Sequence, residues 1–111
     1  MKVQAILSAV VLFLTVNIAT AETVHSPQAI EHTKAAITHG EAGHPSVLLE
    51  HAQTALTHAK ASQQAEPSVH TEQAISHLNA AIESGKNNQA AEGTMHAKKA
   101  LEHLEMGAKP K

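Results

Sequence analysis

Ten histidines fall on a seven-residue grid: His25, His32 and His39; His44, His51 and His58; His70 and His77; His96 and His103. Seven residues are two turns of an α-helix, so each group lines one edge of one helix. The apolar residues keep the same period. Ile30 and Ile37, Leu49 and Leu56, and Ile75 and Ile82 recur at one angle, flanked by Ala29, Ala36, Leu48, Ala55, Ala74, Ala81 and Ala100. Ala52, Ala59, Leu78, Ala97, Leu101 and Leu104 complete the stripe. That spacing belongs to amphipathic helices and not to the alternation of a strand. On a helical wheel the histidines lie about 100° from the centre of the stripe, at the edge of the core. Neutral imidazole is the commonest protein ligand for transition metals, so such rows point to a multi-site metal binder.

The second half of the chain repeats the first without a gap. His25…Gln28-Ala29-Ile30…His32 overlays His70…Gln73-Ala74-Ile75…His77, and His51-Ala52…Ala55-Leu56…His58 overlays His96-Ala97…Ala100-Leu101…His103. Gly40 meets Gly85. Each repeat, 25–66 and 70–111, reads as an αα-hairpin. Helix 1 is expected over about Pro27–His39, with Ser26 as N-cap and Pro27 in the first helical position. Gly40 and Gly43 break it, and Pro45 opens helix 2, which runs to about Ser62. Helix 3 is expected over Val69–Ser84 with Gly85 as its left-handed C-terminal residue, and helix 4 runs to Met106, ended by Gly107. Short connections imply antiparallel neighbours: an all-α, up-down-up-down four-helix bundle of two duplicated hairpins.

Spacing also decides how an ion could be held. Successive histidines of one row are about 10.5 Å apart along the helix, and a metal–nitrogen bond is about 2.0–2.1 Å. A row by itself therefore chelates nothing, and the second ligand must come from another helix. Folding at 40–43 brings His39 level with His44, His32 with His51, and His25 with His58. The second hairpin matches His77 with His96 and His70 with His103. Its third level holds Ser84 and Gln89, so both histidines are missing together. All ten histidines are candidate ligands. Two nitrogens with oxygen or water suit Cu(II), Ni(II) or Zn(II), and the Irving–Williams order favours copper. Glu31, Glu50 and Glu102 directly precede histidines, as oxygen ligands or simply as solvated surface. Met106 reads as core filler.

The N-terminus bounds the setting. Met1-Lys2, the apolar run 5–14 and Ala19-Thr20-Ala21 follow the order of a secretory signal peptide, expected to be cleaved after Ala21. The run is too short and too interrupted for a membrane anchor. The mature segment 22–111 is then one exported metal-binding bundle, without Phe13, the single aromatic of the chain. Its core is aliphatic and alanine-rich, which predicts modest stability without metal. Absence of cysteine excludes disulfides, thiolate ligands and c-type haem attachment. A net charge of -2 leaves no basic face for nucleic acid.

Enzyme readings fail on the residues. No H-E-x-x-H zincin motif occurs, and no Asp exists to complete a Ser/His/Asp triad. The Glu-x-x-His matches, Glu22–His25 and Glu41–His44, fall in a tail and a loop rather than on the inward helices of a di-iron bundle.

The repeat His-x-x-x-Ala-(Ile/Leu)-x-His resembles the small metal-binding protein (SmbP) family. It is carried by His25…His32…His39-Gly-Glu-Ala-Gly-His44, Leu48-Leu49-Glu50-His51-Ala52, Leu56-Thr57-His58-Ala59-Lys60-Ala61 and His96-Ala97…Ala100-Leu101-Glu102-His103-Leu104. The resemblance implies a periplasmic four-helix bundle binding several copper ions, tolerant of other divalent metals, for storage, scavenging or detoxification. Ser84 and Gln89 interrupt the family's histidine row and lower the expected capacity. The expected state is a monomer with metal ions as its partners. A pH-responsive bundle and a chaperone-like bundle are the rival readings.

Overall fold

The computed structural model describes residues 20–109. Four helices follow one another: α1 (Thr20–Glu41), α2 (Pro45–Ala65), α3 (Val69–Lys86) and α4 (Ala90–Gly107). α1 and α3 each pack against both α2 and α4, and only α2 and α4 touch across the diagonal. This is the antiparallel four-helix bundle expected from the heptads. The expected signal segment 1–21 lies outside the described residues except for Thr20 and Ala21, with which α1 begins.

α2 runs past the expected Ser62 to Ala65, and two further boundaries differ from expectation for a physical reason. α1 begins before Ser26 and carries Pro27 in its interior, where the ring forgoes one backbone hydrogen bond. Ser26 is therefore no N-cap; its hydroxyl is used across the hairpin, 2.8 Å from that of Ser62. The glycines also divide their work differently. Gly43 adopts φ +79° and makes the first turn, while Gly40 stays helical and buried. A Cβ on Gly40 would strike Thr94 Oγ1 and come within 2.6 Å of Leu48 Cδ1. Gly85 likewise stays in α3, and a Cβ there would meet Leu49 Cβ at 3.0 Å and the Pro45 carbonyl at 3.2 Å. Asn88, at φ +58°, supplies the left-handed residue of the second turn. The paired glycines are contact points between hairpins: α1 against α4, and α3 against α2.

The core is thin. Nine of its thirteen buried hydrophobic residues are alanines, joined by Leu48, Leu78, Ile82 and Leu104. Small side chains let helices approach closely at the expense of buried apolar area. Leu48 is wholly buried and lies over Gly93, which overlays Leu48 in the repeat; both its methyls would sit 3.1 Å from a Cβ added there. A large residue in one repeat thus fits the small one in the other, and this accounts for the α2–α4 diagonal contact. Between the hairpins, Ser68 caps α3 by accepting from the His70 N–H at 3.2 Å.

Candidate metal centre

The heptad places the histidines of α1 and α2 along one shared edge, and those of α3 and α4 along another. The rungs expected from the folded hairpins are present. His25 and His58 have ring centroids 5.4 Å apart, His32 and His51 5.6 Å, and His39 and His44 6.5 Å. On the second edge His70 and His103 lie 5.9 Å apart, and His77 and His96 6.1 Å. All ten histidines therefore have a cross-helix mate. Nine are half-buried; His44, just before α2, is exposed.

Two rungs bring ring nitrogens face to face. Nδ1 of His25 is 3.1 Å from Nδ1 of His58, and Nδ1 of His32 is 3.3 Å from Nδ1 of His51. Two such nitrogens form a hydrogen bond only if one carries the proton and the other does not. With bonds of ~2.0–2.1 Å, one ion touching both nitrogens would subtend about 100°, which lies between square-planar and tetrahedral cis angles. On the second edge, Nδ1 atoms of His70, His96 and His103 are buried without a hydrogen-bond partner. A buried imidazole nitrogen with nothing to bond is costly unless water or an ion completes it.

The rungs are also linked diagonally, a feature missed in the sequence reading. His32 stacks on His58 at 5.9 Å and 9°, His39 on His51 at 5.3 Å and 5°, and His77 on His103 at 5.5 Å and 8°. The signal was available in helix geometry. Every Cα–Cβ bond tilts toward its helix N-terminus, so in an antiparallel pair the two rows lean in opposite directions. Each ring of α1 or α3 therefore leans toward the mate one level closer to its own N-terminus. The result is two zigzag columns of imidazole rather than separate rungs.

Crowding lowers the proton affinity of the inner rings. His51 is held below its ordinary value by burial and then by His39 and His32, with Glu50 pulling the other way. Burial, then His25 and His32, lowers His58. His77 is lowered by burial, His103, Lys99 and His96. The neutral form is the one that coordinates metal.

The carboxylates beside histidines do not join the columns. Glu31, Glu50 and Glu102 are exposed, and Glu31 faces Lys34 at 3.9 Å. Glu92 does approach an imidazole, with Oε1 3.9 Å from His96 Nε2. Among the described residues no group of three or more His, Cys, Asp or Glu side chains converges as a ready-made site. The building unit is the pair.

Comparison with known proteins agrees with this reading. The model of a family described as small metal-binding protein matches residues 1–107. No curated protein matches the chain. With the match spanning nearly the whole sequence and paired imidazoles on the bundle edges, the chain belongs to the small metal-binding protein family.

Proposed function

We propose that this protein reversibly binds several Cu(II) ions at its histidine rungs, with Ni(II) and Zn(II) as competitors, and buffers, stores or scavenges metal in the periplasm. The observation that carries the reading is the face-to-face approach of imidazole nitrogens at 3.1 and 3.3 Å on opposing helices. All ten histidines serve as ligands, two to an ion. Water completes each coordination sphere, so the ions stay exchangeable. The copper preference follows from an imidazole donor set and the Irving–Williams order. The signal-like segment 1–21 supports export, and the family resemblance supports the periplasm. The function is binding rather than catalysis.

Isothermal titration of metal-free protein with Cu(II) tests this. Several equivalents are expected, and His32→Gln or His51→Gln should each remove about one, because either change dismantles the same rung. One equivalent or fewer, or indifference to both substitutions, would defeat the proposal. The pH-responsive reading describes the proton side of the same sites, since protons and metal compete for the same nitrogens. The chaperone-like reading finds little support. Val69 and Met95 are the large hydrophobics that stand exposed among the described residues, and a client-binding surface needs a contiguous patch.

A further inference from the structure

The second column ends unlike the first. His51 leans toward the N-terminal end of α2 and stacks there on His39. Its counterpart in the repeat, His96, leans the same way along α4, but the position matching His39 is Ser84, a buried serine. At that end stands Glu92, one turn before His96, with Oε1 3.9 Å from Nε2. The matching residue in the first hairpin is Val47. Only the hairpin that lost its third rung carries this carboxylate.

A glutamate in the first turn of a helix commonly reaches back to the N-cap amide. Here that amide is already taken: Gln89 N–H donates to the Ser84 carbonyl at 2.9 Å. Glu92 is left free to face His96, and the two side chains are 53% and 27% exposed. Residues four apart lie one above the other on a helix, so the pairing needs no help from tertiary packing. A tetrahedral ion bonded to both at ~2.0–2.2 Å needs them about 3.4 Å apart, so the exposed Glu92 carboxylate has only to close from 3.9 Å by about 0.5 Å. His96 Nδ1 is buried without a partner, facing away from solvent, while Nε2 is on the carboxylate side.

We propose that His96 Nε2 and Glu92 form an imidazole–carboxylate chelate for a divalent transition-metal ion. It is a second class of site that competes with the His77–His96 rung for that ring, since a neutral imidazole coordinates through a single nitrogen. Zinc accepts such a nitrogen and oxygen donor set, and copper leads it here as at the rungs. The site adds to the rung reading and can fail separately from it: rung loss is read at His32 and His51, chelate loss at His96 alone.

The test is a titration of the full-length, histidine-15N-labelled chain with zinc chloride, followed by the ring-nitrogen resonances. His96 Nε2 is expected to respond before the rings of the first column. Glu92→Gln should weaken zinc at His96 by about tenfold or more, leaving His25, His32, His51 and His58 unchanged. Glu92→Asp separates ligation from a helix-start effect. It keeps the negative charge at the N-terminus of α4 but shortens the reach, so it should retain native helix content and lose zinc as Gln does. Conversely, Val47→Glu should give His51 a matching gain. Unaltered zinc binding at His96 in Glu92→Gln, or full retention in Glu92→Asp, would overturn the proposal.

Discussion

At the scale of the residue, the spacing of one side chain class carries most of the meaning. The heptad of histidines sets which rings share an edge, and the hairpin fold sets which rings share a level. Both were legible in the numbering alone. What was not legible was the role of individual glycines, because the residue answers two different needs. Gly43 supplies a positive φ, whereas Gly40 and Gly85 supply the absence of a side chain where another helix presses in. Sequence gives no way to separate these uses before the neighbours are known. Gly40→Ala should therefore destabilise the fold by ~1–3 kcal/mol through overpacking against Thr94 and Leu48, measured by urea unfolding. Leu48→Ala should cost ~2–5 kcal/mol, since it empties the central position above Gly93. Neither change touches a histidine, so both should leave copper stoichiometry as it is.

At the scale of the element, each helix carries two stripes, one apolar and one of imidazole. The apolar stripe was read correctly down to Ala59, Ala97 and Leu104, all buried. The ends of α1 and α3 were read short, because Ser26 and Gly85 resemble capping residues but are occupied by contacts from another helix. The diagonal stacking escaped a level-by-level treatment that ignored the tilt of Cβ along antiparallel helices. Its consequence is electrostatic. His51, His58 and His77 bind protons less readily in the folded chain than their ordinary value of 6.5. In the window just below that value the unfolded chain holds more protons, so stability rises with pH there. Metal-free protein should hold its full stability above about pH 6.5 and lose it as pH falls toward the depressed values. Thermal melts followed by circular dichroism between pH 7.5 and 5 check this. A melting temperature that rises on acidification would contradict it.

At the scale of the whole molecule, two similar hairpins make one bundle with unequal edges. The first edge holds six histidines in three rungs, and the second holds four in two. A core of alanines leaves the fold with limited apolar burial, and ions clamped between helices are placed to offset that. Copper should raise the melting temperature, since each site adds ~2.7 kcal/mol of stability when free metal is a hundredfold above its Kd. His25→Gln with His32→Gln should remove most of that gain from the first hairpin while leaving the second intact. The most direct measurement is the anomalous difference map of a copper-soaked crystal. Peaks are expected between the facing nitrogens of His25 and His58 and of His32 and His51, each ion touching both helices. Copper bound to single imidazoles turned out to solvent, with the mate unengaged, would contradict it.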